Sequence, residues 1–287
     1  MNRKVIIASD STCDLSDELR ERYHVRILPL GVTLGGHFYT DGVDIHPDDI
    51  YAHYERSGEL PKTSAVNIAD FEDFMDACAR EHCDVVLFTI SSSMSSTYHN
   101  ACLAAEDREN NVFVVDTKNL STGGGLLVVK AAELREEGKS AAEIAEICTA
   151  LTDQVDASFV IDSLEFLYKG GRCSALAAFG ANMLRLKPCI AVKGGAMAVE
   201  KKYRGRYADT LKTYVADRIG DGTGIDLGHV FVTHAGCDAE IVEQCVEQVK
   251  SLAPFKEVHI TRAGCTVSSH CGRNTLGVLF IRKTEVL

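Results

Sequence analysis

Five serines and a threonine fall between Ser91 and Thr97, directly after the apolar run Asp84 to Ile90. That run reads as a buried strand, and the residues from about Ser96 to Glu106 read as the helix that follows it. The first N–H groups of a helix have no partner inside it, and the positive end of the helix dipole sits there. Hydroxyls beside such a start add donors without adding charge, which suits a carboxylate or a phosphate. A single serine capping the helix would leave the same local pattern. Asp10-Ser11-Thr12, Asp116-Thr117 and Asp162-Ser163 also stand at the ends of apolar runs. Ligands of open α/β sheets bind beyond the carboxyl ends of strands, so these clusters are candidate site loops.

Other chemistry is less well supported. The sequence holds no Gly-x-Ser-x-Gly elbow, and His99, four residues after Ser95, would point along a helix surface. A small-molecule hydrolase or phosphotransfer enzyme using Ser95 and His270 is the alternative reading. Gly123-Gly124-Gly125 lacks the Lys-Ser/Thr ending of a phosphate loop and reads as close helix packing. Arg172 follows the permissive turn Gly170-Gly171, and Lys201 to Arg206 is the one strongly basic stretch; either could meet a phosphate or an acidic partner. His270-Cys271-Gly272 reads as a loop before the last strand. The 11 cysteines include no Cys-x-x-Cys pair and no zinc spacing, so they read as reduced, mostly buried small hydrophobes, and no metal site is expected.

The elements that must position these residues alternate. Strands are expected at Lys4 to Ser9, Val25 to Leu34, Asp84 to Ile90 and Val112 to Val115, with Pro61 to Ser64 as a loop. In the second half they are expected at Phe159 to Ile161, Pro188 to Val192, Met197 to Tyr203, Val230 to Thr233, Lys256 to Ile260 and Leu276 to Ile281. Helices fill the intervals, including an apolar one at Ser174 to Arg185. Such alternation implies α/β layering with right-handed crossovers. A chain of 287 residues is comfortable as two domains, with a join near Ala157 and the cleft between them as the default ligand site.

Bulk composition narrows the partners. Lys plus Arg is 30 against 41 Asp plus Glu, a net charge of -11 that argues against nucleic acid and anionic membrane surfaces. No apolar stretch reaches spanning length and no signal peptide is expected, so a cytoplasmic protein without stable membrane insertion is. Trp is absent, so a cavity would be walled mainly by aliphatic side chains.

Taken in order, a set of short segments resembles the DegV family. They are Ser9-Asp10-Ser11-Thr12-Cys13-Asp14-Leu15, Leu28-Pro29-Leu30, Thr63-Ser64, Ser95-Ser96-Thr97-Tyr98 and Val115-Asp116-Thr117, leading to Ser121-Thr122-Gly123. Leu164-Glu165-Phe166-Leu167 with Gly170-Gly171-Arg172, Lys187-Pro188, Arg204-Gly205 and His270-Cys271-Gly272 complete it. The chain departs from the family's pattern at Ser96, Ala65-Val66 and Arg273-Asn274. The resemblance implies two α/β domains, here 1–156 and 157–287, with a lipid-binding cleft between them. It implies a carrier that encloses one long-chain fatty acid, needs no cofactor and catalyses nothing alone. A separate ATP-dependent fatty acid kinase subunit would act on the presented carboxylate to form an acyl phosphate. Carried over, Thr63, Ser64, Ser95 and Ser96 bind the carboxylate with His270 close by, and Arg172 and Arg204 stand near the mouth for kinase or phosphate contact. Ala175, Leu176, Met183 and Phe179 to Leu186 are expected to wall the tunnel.

Overall fold

Helix starts lie where short polar side chains can take up orphaned N–H groups. Ser16, Asn67 and Ser140 accept from the backbone N–H three residues on, and the Ser140 N–H donates in return to the Glu143 carboxylate. The computed structural model describes residues 3–108, 111–173 and 186–283. The first half runs β1 (Lys4–Asp10), α1 (Asp17–Arg22), β2 (Arg26–Leu28), β3 (Gly31–Leu34), β4 (His37–Thr40), α2 (Pro47–Ser57), β5 (Lys62–Ser64), α3 (Ile68–Arg80), β6 (Cys83–Thr89), α4 (Thr97–Ala105), β7 (Val112–Asp116), α5 (Thr122–Glu136) and α6 (Ala141–Leu151). The second runs β8 (Val155–Ile161), α7 (Glu165–Gly170), β9 (Leu186–Lys193), β10 (Ala196–Arg204), α8 (Tyr207–Ile219), β11 (Ile225–Ala235), α9 (Ala239–Leu252), β12 (Glu257–Arg262), α10 (Cys265–Cys271) and β13 (Thr275–Arg282).

The first half folds round a parallel sheet in the order β2-β1-β6-β7, and the second round a mixed sheet in the order β10-β9-β8-β13-β11-β12. The expected join at 156/157 falls inside β8. Phe71, Met75 and Cys78 of α3, with Ala101 and Ala104 of α4, cover one face of the parallel sheet. The other face meets α5 and α6, and the same core takes in Val155, Ala157, Phe231 and Leu279 of the mixed sheet. Helix α5 is therefore a shared layer, buried nearly all round, as an apolar helix between two sheets must be. Its glycines permit the contact: a Cβ on Gly125 would stand 2.7 Å from the Cys13 carbonyl oxygen. Helices α8 and α9 close the outer face of the mixed sheet.

Three expectations need correction. Val25 to Leu34 is not one strand, because Pro29 lacks the N–H a continuous ladder needs. Instead β2 joins the parallel sheet and β3 enters a small antiparallel sheet in the order β4-β3-β5. Thr63 and Ser64, expected in a loop, lie on β5, with Val32 paired to Thr63. His270, also expected in a loop, stands in the last turn of α10. The expected helix at Ser174 to Arg185, with the proposed tunnel residues Ala175, Leu176, Phe179 and Met183, lies outside the described residues.

Candidate functional site

The serine run is divided between scaffold and cavity by its hydrogen bonds. Asp10, at the end of β1, accepts from the Ile90 N–H at 2.7 Å and so fixes where β6 releases the chain. Asp116, at the end of β7, accepts from the Ser92 N–H and, at 2.5 Å, from its hydroxyl. Ser91 Oγ donates to the Gly195 carbonyl across the halves at 2.6 Å, which ties the β9–β10 hairpin to the loop. Ser95 Oγ accepts from the Thr97 N–H at 3.2 Å and pairs with Thr97 Oγ1 at 2.9 Å. The polar strand ends thus stabilise one another, and Ser93, Ser95 and Ser96 are left facing a cavity.

That cavity has a volume of about 550 Å³ and draws its walls from both halves. Thr63, Ser64, Ser95 and Ser96 bring its hydroxyls, and Leu30, Ile90, Met94, Leu120, Met197 and Val267 its aliphatic surface. His270, Arg172 and Thr266 also line it. Thr63, Ser64, Ser95, Ser96, Arg172 and His270 are therefore brought together. Arg204 is not: it is exposed at the far end of β10. Seven residue steps along the strand separate it from Met197, roughly 23 Å at the usual rise. Leu120, Val267 and Cys271 also line a smaller pocket of about 30 Å³, whose other walls include Ala157, Phe159, Val192 and Leu279. The neighbouring space on that wall is thus apolar.

His270 joins the halves at the polar end. Its Nε2 lies 2.9 Å from Thr63 Oγ1, 207 residues away in sequence. Its Nδ1 is buried without a hydrogen-bond partner among the described residues and abuts Gly170. Burial, and secondarily the charge of Arg172, lower its pKa to about 4, so the ring is neutral at pH 7. An orphaned N–H is rarer and costlier than an orphaned acceptor, so the ring proton belongs on Nε2, donated to Thr63 Oγ1. The Thr63 hydroxyl, which lines the cavity, then keeps its own proton to donate. A Ser–His nucleophile pair would need Nε2 on Ser95 Oγ, whereas each side chain is engaged with a different threonine.

Two buried carboxyl groups hold α10 in place. Asp41 Oδ1 accepts from the Cys265 N–H at 2.8 Å, and its Oδ2 accepts from Ser11 Oγ, the Thr266 N–H and Thr266 Oγ1. Asp14 accepts from the Gly264 N–H at 2.8 Å and from Ser121 Oγ at 2.5 Å. These acids were missed at the level of sequence. Asp14 stands in one of the segments that resemble the family and Asp41 in none of the candidate clusters, and the donors that α10 brings to both lie more than 200 residues further on.

Gly170 offers a direct check on the His270 position. Its Cβ, if present, would lie 2.5 Å from His270 Nδ1. Gly170→Ala is expected to displace the imidazole and destabilise the fold by roughly 1–3 kcal/mol, the usual range for overpacking. Thermal melting measures the loss, and the His270 ring resonances in NMR should move with it. An unchanged melting curve and unmoved resonances would refute the packing described.

Comparison with known proteins agrees with this architecture. A family model described as "Uncharacterised protein, DegV family" matches residues 4–283. A DegV domain-containing protein of Clostridium acetobutylicum is 33% identical over 281 residues, covering 98% of this chain and 99% of the relative. A solved structure described as fatty acid binding of a DegV family protein from Thermus thermophilus superposes with a TM-score of 0.86 at 30% identity, covering 97% of this chain and 99% of that one. Another, described as a fat acid (stearic acid)-binding protein from Eubacterium ventriosum, gives a TM-score of 0.83 at 29% identity over the full length of both chains.

Proposed function

The chain belongs to the DegV family, and from that premise we propose that it is a carrier which encloses one long-chain fatty acid between its two halves, taken as 1–156 and 157–287. The observation that carries this reading is the cavity between the halves, lined by hydroxyls and aliphatic side chains, whose wall residues Leu120, Val267 and Cys271 also border a small apolar pocket. The carboxylate would sit against Thr63, Ser64, Ser95 and Ser96, and His270 would act through Thr63. The acyl chain would run past Met94, Leu120 and Val267. Each buried methylene contributes about 0.8 kcal/mol, so the tail supplies most of the affinity and the hydroxyls fix orientation.

Neutral donors also leave the carboxylate nucleophilic, which a salt bridge at the same oxygen would not. A separate ATP-dependent kinase subunit could then phosphorylate the presented oxygen in the cytoplasm, with Arg172 at the rim to meet the phosphate. No helix among the described residues is long and apolar enough to cross a membrane. On this reading the protein itself catalyses no step and needs no cofactor.

Denaturing the purified protein and analysing the released lipid by mass spectrometry is expected to return one fatty acid per chain. A chain that carries none, even after incubation with several, would end the proposal. Thr63→Val or Ser95→Ala is expected to weaken binding by roughly 10- to 150-fold, since a hydrogen bond to a charged group is worth about 1.5–3 kcal/mol. Titration with a fluorescent fatty acid measures this, and equal affinity in the double variant would remove those hydroxyls from the site. If a kinase subunit forms acyl phosphate at the same rate with this protein absent, the presenting role fails while the binding role stands.

A further inference from the structure

A second cluster of ligating side chains lies outside the fatty acid cavity, where the edge of the mixed sheet meets α1 and α5. His229 on β11 and Glu257 on β12 are paired in register, and His259 stands two residues beyond Glu257 on the same face of β12. His229 Nδ1 lies 2.9 Å from His259 Nε2, and His259 Nε2 lies 3.7 Å from Glu257 Oε2. One ligand atom from each of the three falls within 4.8 Å of the others. Metal–nitrogen and metal–oxygen bonds of about 2.1 Å in a tetrahedron put neighbouring ligand atoms about 3.4 Å apart. The observed separations lie on either side of that figure.

The surroundings are built for the same purpose. His229 Nε2 lies 2.8 Å from Glu133 Oε1 on α5, a carboxylate that orients the ring and leaves Nδ1 bare. Both imidazoles are largely buried, with side chains 14% and 11% exposed, and the His259 ring packs on Phe231. Arg22 of α1 holds Glu257 from the other side through both oxygens, at 2.6 and 2.8 Å. Each oxygen keeps a second lone pair, so the carboxylate remains able to ligate. A polar cavity of about 340 Å³, lined by Glu133, His229, Glu257 and the two lysines Lys130 and Lys256, opens the cluster to solvent.

We propose that His229 Nδ1, His259 Nε2 and Glu257 form a binding site for a divalent transition cation of the zinc class, with Glu133 as the positioning residue for His229 and a fourth position left to water. Two imidazoles and one carboxylate select such a cation over Mg²⁺ or Ca²⁺, which require more oxygen ligands. With the Nε2 side of His229 facing Glu133, its Nδ1 is the nitrogen turned to the cation, and His259 would ligate through Nε2 with its ring proton on Nδ1. The bound cation would join strands of the second half to a layer supplied by the first.

The test is titration of the untagged, chelator-treated chain with Co²⁺, read by visible ligand-field absorption. Saturation at one equivalent, with displacement by Zn²⁺ and no response to Mg²⁺, is expected. His229→Ala and His259→Ala should each abolish the signal. Glu133→Gln should weaken binding by roughly 10- to 100-fold, the usual effect of losing a carboxylate that orients a ligating histidine. That substitution, at a half-buried side chain and nearly isosteric, also keeps the test open should a histidine variant fail to fold. Absence of saturable binding overturns the proposal. So does a signal that survives the double histidine replacement, a near-ultraviolet thiolate band that places the cation on cysteines, or equal affinity in Glu133→Gln.

Discussion

Replacing Asp41 with alanine is expected to lower the melting temperature by roughly 10 °C and to weaken fatty acid binding although Asp41 lies outside the cavity wall. Its carboxylate receives four hydrogen bonds, one from Ser11 and three from the start of α10. The side chain is only 4% exposed, so water cannot replace it. Truncation strands the Cys265 and Thr266 N–H groups and two hydroxyls at once. Removing one partner from a buried charged network typically costs about 3–5 kcal/mol, and in a chain of this size each kcal/mol moves the midpoint by about 2–4 °C. The functional consequence follows from geometry. Helix α10 carries Thr266, Val267, His270 and Cys271 into the cavity wall, and Asp41 fixes its beginning to the first half. Asp41→Asn keeps the acceptor and should retain more of both properties. Scanning calorimetry and fatty acid titration on the two variants check this; a wild-type midpoint in Asp41→Ala would show that the pin does not carry the helix.

What could be read from the residues alone follows from the range of the interactions. The β1, β6 and β7 strands are continuous apolar runs ending in polar residues, so local pattern located them and the loops beyond them. The caps at Ser16, Asn67 and Ser140 were local in the same sense. Thr63 and His270 meet across 207 residues, and no periodicity reports such a pairing. They came from the ordered likeness to a family, while the physical reason for the pairing, a neutral ring oriented against Gly170, came from the structure. The short strand β5 and helix α10 read as loops in the sequence because each is held by a distant neighbour: β3 in one case, Asp14 and Asp41 in the other. Arg204 shares its basic stretch with residues that suggest a phosphate site, yet strand geometry carries it away from the cavity. His229 and His259 were not singled out, since an isolated histidine and a Glu-x-His pair have no metal-ligand spacing until β11 and β12 align.

Asp14 should make the protein progressively less stable as pH rises from about 4 to about 8. Burial raises its pKa from 3.8 to about 8, with the charges of Asp41 and Asp10 adding to the effect and hydrogen bonds from Ser121 and Gly264 opposing it. The sign follows from proton counting. Below pH 4 the carboxyl group is protonated in folded and unfolded chains alike, and its contribution to stability is fully present. Between the two pKa values the unfolded chain has lost the proton that the folded chain keeps, so each step upward in pH favours unfolding. The loss ends above pH 8, where both states are ionised, and amounts to several kcal/mol across the window. Asp10, raised to about 6 chiefly by burial, adds a smaller fall in the same direction that ends earlier. Asp14→Asn removes the titrating group but keeps a side chain that can accept from Gly264 and meet Ser121. Urea unfolding of the wild type across this range should show the decline, and the variant should flatten its upper part, between about pH 6 and pH 8. A variant with an undiminished slope there would mean that Asp14 is already ionised in the folded protein at neutral pH. It would then hold α10 as a second carboxylate beside Asp41, and Asp14→Asn should cost stability most at high pH, the reverse of the expected order.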